Sequence, residues 1–200
     1  KLMIIPVNNV LPKRLEDDIE YIVTDVPYYY APNTSYAPED PFFEHYLELV
    51  KKSNIIENGQ FTYRVLDEGN IVSPLYNLFY PILFSFADKA NIKVNEITRI
   101  KVNLLLRDKT FTSENYNFPH SDRGNSGADK AFIYYANDSD GDTVLFNEFD
   151  DYTNIPENFT IVDRVTPKKG TGVFLESNRF HASSNPAVSQ HRYIINFNFK

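Results

Sequence analysis

The stretch "NFPHSDRG", residues 117–124, places an imidazole and a carboxylate at alternate positions, His120 and Asp122. In an extended chain successive side chains point to opposite faces, so these two share a face while Ser121 points away. Together they can grip one metal ion from one rigid edge. A third ligand must come from elsewhere, and cysteine is absent, which excludes thiolate ligands, cysteine nucleophiles and disulfides. Three other histidines remain. His181, in "ESNRFHASSNP" at the end of the glycine-flanked strand "GTGVFLES", is the third ligand expected. His191 adjoins Arg192 and would face away from it on a strand. His45, in the helical run "FFEHYLEL", reads as an ordinary, partly exposed histidine.

Two histidines and one carboxylate on one side of an ion leave three positions open, the arrangement of non-haem Fe(II) oxygenases. Such a centre needs a chelating co-substrate and a cation for that co-substrate's far end. Arg192 lies 11 residues after His181, at the start of the strong strand "HRYIINFNF". Its guanidinium fork suits a buried dicarboxylate.

These residues need a scaffold, and the pattern of the chain changes near its middle. The first half reads as helical: residues 12–25 carry apolar positions at Leu15, Ile19, Ile22 and Val23. Residues 38–52 place acids early and lysines late. Residues 73–91 are apolar nearly all round, with Pro81 expected to kink or restart the helix. From residue 97 the runs are short and β-rich: "ITRIKVNLLL", "KAFIYYAN", "DTVLFNEF", "FTIVDRVT", "GTGVFLES" and "HRYIINFNF". Many short strands with turn residues between them point to a sandwich or jelly roll. The last strand separates Tyr193, Ile195, Phe197 and Phe199, which read as core, from Arg192, Ile194, Asn196 and Asn198, which would line a cavity. A single domain over residues 1–200 is expected: residues 1–95 as helical support and lid, residues 96–200 as the core with the metal site.

Composition excludes some partners. The net charge of −7 argues against nucleic acid, since a phosphate-tracking surface needs clustered Lys and Arg. No run of about 18 apolar residues exists, so no membrane partner is expected. The apolar part of "KLMIIPVNNV" is too short for a signal peptide, and the lack of cysteine fits a cytoplasmic setting. The bias toward Asn, Lys, Ile, Tyr and Phe hints at an AT-rich genome, viral or bacterial. The sequons at Asn33, Asn137 and Asn158 read as chance in an asparagine-rich chain.

The order His-x-Asp, distal His, then Arg resembles the 2-oxoglutarate/Fe(II)-dependent oxygenases, nearest to their prolyl 4-hydroxylase-like branch. The resemblance spans residues 97–200 and rests on "PHSDRGNSGADKAFIYYAND", "RFHASSNP" and "RYIINFNF". It implies an α+β protein whose core is a double-stranded β-helix (jelly roll) buttressed by N-terminal helices. It implies Fe(II) on His120, Asp122 and His181, and 2-oxoglutarate on Arg192 and Tyr135. O2 is the oxidant, with ascorbate as an accessory reductant. The implied reaction is hydroxylation of an unactivated C–H bond with release of succinate and CO2, and the carboxylate of Asp122 favours this over halogenation. "GDTVLF" is similar to the family's Gly-Gly-x-Thr strand start, but Asp140 stands where the first glycine would be, which leaves the role of Thr143 open.

Other readings stand beside these. Tyr135 could simply pack, as Tyr134 on the opposite face is expected to. Asn103 and Asn196 are either cavity residues or hydrogen-bonded strand asparagines. The Tyr/Pro-rich residues 26–43 form either a substrate lid or a loop folded over the core. The substrate expected is a protein or peptide, proline being the residue modified, because an extended proline-rich peptide is already stiff. A free amino acid or another small molecule is the rival within the superfamily. A cupin-like metal protein without 2-oxoglutarate chemistry, or a structural β-sandwich, are the rivals outside it.

Overall fold

Strict alternation organises the two longest strands. In β5 (Ile97–Leu106) Ile100 and Val102 face one way while Arg99, Lys101 and Asn103 face the other. In β11 (His191–Phe199) Tyr193, Ile195, Phe197 and Phe199 oppose Arg192, Ile194 and Asn196 in the same manner. The two strands pair antiparallel, Arg192 opposite Leu105 and Asn196 opposite Lys101. This computed structural model describes residues 5–53, 55–122 and 127–200.

Around that pair runs an antiparallel sheet in the order β1 (Ile5–Val7), β9 (Gly172–Glu176), β6 (Lys130–Tyr135), β11, β5, β3 (Gln60–Asp67) and β2 (Tyr29–Ala31), with β4 (Asn70–Ile71) on β3. A smaller sheet follows the order β10 (Arg179–Ser183), β7 (Thr143–Phe149), β8 (Ile161–Val165). Helices α1 (Lys13–Val23) and α3 (Tyr76–Ala90) cover the outer face of the large sheet, burying Ile19, Val23, Ile82 and Phe86 against Ile100, Phe132 and Phe197. Phe86 stacks on Phe132 with ring centroids 3.9 Å apart. Its inner face packs Ile133, Tyr135, Val173 and Ile194 against Leu145 of the small sheet. Helix α2 (Phe43–Ser53) packs separately, with Tyr46 and Leu49 against Phe118 and Ile155. No helix among the described residues is long and apolar enough to cross a membrane.

Four expectations are revised. Residues 1–95 are not helical alone: beside three helices four strands come from them, and β3 lies between β5 and β2. Its alternation of Tyr63 and Val65 toward the helices against Thr62 and Arg64 toward the site is a strand period. The helix expected from residue 38 begins at Phe43, because the residue before Pro41 is disfavoured in the helical region; Asp40 instead accepts the Phe42 N–H at 2.8 Å. Helix α3 continues through Pro81 rather than restarting, and the proline's missing donor falls next to the exposed residue Asn77. His181 is also not at the end of β9. The chain turns at Ser177 and Asn178, changes sheet, and carries His181 in the middle of β10.

Candidate metal centre and its two cavities

The segment before Asp122 runs beside β10 and is fixed to it at three points. Asn117 N–H donates to the Ser183 carbonyl at 2.8 Å, His120 and His181 exchange both backbone hydrogen bonds at 2.9 Å, and Asp122 N–H donates to the Ser177 carbonyl at 2.8 Å. This bridge sets the two imidazoles side by side, ring centroids 4.5 Å apart. One ligand atom from each of His120, Asp122 and His181 lies within 4.8 Å of the others. His45 and His191 are elsewhere, the first in α2 and the second exposed at the start of β11.

Each of the three is prepared as a ligand. The Nδ1–H of His181 can donate to the Arg179 carbonyl at 3.1 Å, and Nε2 then faces Asp122 Oδ2 at 3.9 Å. Burial pulls the His120 imidazole down to about 3, with His181 acting in the same direction, so the ring stays neutral. Its buried Nδ1 has no hydrogen-bond partner among the described residues. Burial alone would raise the Asp122 carboxyl, but the Arg99 guanidinium and the two imidazoles hold it well below the carboxylate range. Arg99 Nη2 donates to Oδ1 at 2.9 Å, and Asn196 and Asn198 donate to Oδ2 at 2.8 and 3.1 Å. Two imidazoles and one ionised carboxylate suit a divalent transition metal.

Two cavities meet at His120. The inner one is a narrow recess of about 30 Å³ lined by Asn103, His181, Thr143, Arg192 and Asn196 among others. Arg192 is 3% exposed; its Nε donates to the Gly141 carbonyl and its Nη2 to Thr143 Oγ1, both at 2.7 Å. Tyr135 donates its hydroxyl to the same Thr143 oxygen at 2.8 Å, and burial pushes that phenol up to about 12. Thr143 thus couples Tyr135 to Arg192, while Tyr134 packs in the core beneath the helices. Gly141 permits the approach: a Cβ there would lie 2.5 Å from the Ser184 carbonyl oxygen and 3.0 Å from Arg192 Cδ. Asp140 has its own task. It accepts the backbone N–H groups of Ala187, Val188 and Ser189 at 2.8–3.0 Å, securing the turn that leads into β11 and Arg192. The recess has room for only about one or two waters, so any larger ligand would have to displace side chains to enter. The amide oxygens of Asn103 and Asn196 have no hydrogen-bond partner among the described residues.

The outer cavity is far larger, about 540 Å³. Much of residues 31–42 forms its wall, facing Thr62, Arg64, Arg99 and Lys101 across His120 and Asp122. The wall is tied to the metal-bearing segment by Glu57. Its Oε1 accepts the Thr34 N–H at 2.7 Å and the Thr34 hydroxyl at 3.0 Å, and its Oε2 accepts the Phe118 N–H at 2.6 Å. Arg99 and Lys101 did not emerge from sequence motifs, although their alternation with Ile100 and Val102 in "TRIKVN" marks them as facing the site.

No family model matches the chain, and no curated protein matches its sequence. Solved structures do. An oxidoreductase of the 2OG-Fe(II) oxygenase family from Burkholderia pseudomallei superposes with a TM-score of 0.62 at 13% identity, covering 99% of this chain and 84% of that one. A Pseudomonas putida prolyl-4-hydroxylase gives 0.53 at 12% identity, covering 100% and 94%. The epimerase SnoN, solved with Fe3+, alpha ketoglutarate and nogalamycin RO, gives 0.59 at 10% identity, covering 99% and 78%. The chain therefore has the fold of the 2OG-Fe(II) oxygenases. Among its matches, the Pseudomonas enzyme has the greatest mutual coverage of these three.

Proposed function

We propose that the protein is an Fe(II)- and 2-oxoglutarate-dependent dioxygenase that hydroxylates an unactivated C–H bond, on a double-stranded β-helix. One observation carries this reading: His120, Asp122 and His181 converge at the mouth of a recess that also contains a buried, pre-positioned arginine. His120, Asp122 and His181 hold the metal. Arg192, steadied by Gly141 and Thr143, receives the far carboxylate of 2-oxoglutarate, and Tyr135 acts through Thr143. Iron with 2-oxoglutarate and O2 supplies the oxidising power, yielding succinate and CO2. The chain's own part is to keep the His120 imidazole neutral, to hold Asp122 ionised, and to place substrate in the outer cavity beside His120.

The substrate favoured is a peptidyl residue, proline first, because the Tyr/Pro-rich wall can clasp an extended chain. A small molecule is the second reading: about 540 Å³ is the size of a metabolite pocket. Iron-dependent conversion of 2-oxoglutarate to succinate by the purified protein tests the oxygenase, and its absence refutes it. Stimulation by proline-containing peptides, with a mass gain of about 16 Da for one inserted oxygen, separates the first substrate reading from the second. Stimulation by free amino acids alone would favour the second.

A further inference from the structure

The outer cavity holds a cation without a partner. Arg64 pairs with Asp67 at 2.6 Å, and Arg99 pairs with Asp122 at 2.9 Å. Lys101, between them, has no hydrogen bond or ion pair among the described residues. Its neighbours make that costly. On β3 its cross-strand partner is Arg64, on β11 it is Asn196, and Arg99 lies two positions back on the same face of β5. Like charges directly opposite on paired strands are destabilising. Burial, and then Arg99, pull the Lys101 ammonium from 10.5 down to about 7. Two acids, Asp122 and Asp67, act on this group from nearby, but each is ion-paired to a neighbouring arginine, Arg99 and Arg64 respectively.

Lys101 belongs to the outer cavity and does not line the recess that contains Arg192. The cation is therefore not a second clamp for a ligand in the recess. Its cross-strand neighbour Asn196 donates to Asp122, and the Asp122 carboxylate favours the charged ammonium, so Lys101 is close to the proposed metal ligands.

We propose that Lys101, flanked by Arg64 and Arg99, is an anion-recognition site that selects a substrate carrying a carboxylate or phosphate close to the carbon to be oxidised. Describing this anion as part of the substrate rests on the oxygenase reading; the site itself does not. A bound anion neutralises the like-charge crowding and restores the charged form of Lys101. A peptide substrate would then have an acidic or phosphorylated residue beside the modified one, and a metabolite would itself be an acid.

The test uses the full chain loaded with nickel(II) and saturated with 2-oxoglutarate, so that the recess is filled and oxygen chemistry is silent. Inorganic phosphate, and in parallel acetate, are titrated by calorimetry. Wild-type protein is expected to bind at least one of them about tenfold more tightly than Lys101→Met, with Lys101→Arg within about threefold of wild type. The tighter anion identifies a phosphate- or a carboxylate-bearing substrate, and either supports the proposal. Lys101→Met should also melt at a higher temperature, since it keeps chain length and removes an uncompensated charge; a structural lysine would do the reverse. Equal affinity in wild type and Lys101→Met, or no binding of either anion, overturns the proposal. The visible charge-transfer band of the anaerobic Fe(II)–2-oxoglutarate complex scores the oxygenase reading separately. A band without anion discrimination defeats only the anion site. Anion discrimination without a band defeats only the oxygenase.

Discussion

The inner recess and the outer cavity share His120 but follow opposite rules. In the recess Arg192 has its donors aimed at fixed neutral oxygens, those of Gly141 and Thr143, and little empty space remains. In the outer cavity cations lie side by side, one has no hydrogen bond or ion pair among the described residues, and the volume is many times larger. A preformed, tightly packed site suits a ligand that never changes. A roomy one with uncompensated charge suits discrimination between ligands, because the missing contacts must come from the right molecule. On the proposed reading, chemistry and selectivity belong to different walls of one junction.

That division can be tested from its strongest point outward. His181→Ala removes one of the three proposed metal ligands and should abolish iron-dependent succinate release, whichever substrate is offered; activity near wild type would refute the metal assignment. Arg192→Ala should act on the recess alone, weakening 2-oxoglutarate binding by about 3–5 kcal/mol because a buried carboxylate loses its partner, with Arg192→Lys milder. Unchanged affinity in a calorimetric titration would break the comparison. Gly141→Ala should destabilise the protein by about 1–3 kcal/mol in urea unfolding, since its Cβ meets a backbone carbonyl that cannot easily retreat. Tyr135→Phe should weaken 2-oxoglutarate binding less than Arg192→Ala does, and Tyr134→Phe should leave it nearly unchanged.

The smallest effect expected is that of Asp140→Asn. Burial alone would raise this carboxyl, but three backbone N–H groups and the Ser189 hydroxyl hold it at about 2, against about 3.9 when unfolded. A depressed folded value means the stabilisation is complete above pH ~4 and is lost as pH falls through ~2. The gap in unfolding midpoint between wild type and Asp140→Asn should therefore narrow over that interval. A constant gap would show that the turn is held by shape and not by charge.

How far the sequence is legible follows the same division. Strands β5 and β11 declare themselves by alternation, and His120, Asp122, His181 and Arg192 stand out by residue type and spacing. The recess is made by such paired strands, and local pattern describes them well. The outer cavity is made by long-range packing. Strand β3 is recognisable only once Thr62 and Arg64 are seen to face a cavity, since otherwise its polar residues resemble a loop. Strand β10 is short and follows β9 after a two-residue turn, so the two read as one strand and a tail. Arg99 is invisible as a partner of Asp122 because 23 residues separate them and only the fold brings them together. The role of Thr143 was likewise hidden, because Asp140, which departs from the family's glycine, serves the turn before β11 instead.

Glu57 gives this architecture a cooperative character. One carboxylate fastens Thr34, in the wall of the outer cavity, and Phe118, two residues before His120. The amide protons of both residues are held by the same side chain, so releasing either one strains the other. Hydrogen exchange at these two amides should then report a single opening event rather than two. Linkage is reciprocal, so whatever steadies the metal-bearing segment also slows exchange at the wall. A loop that looks like a lid is in this sense an extension of the centre it covers.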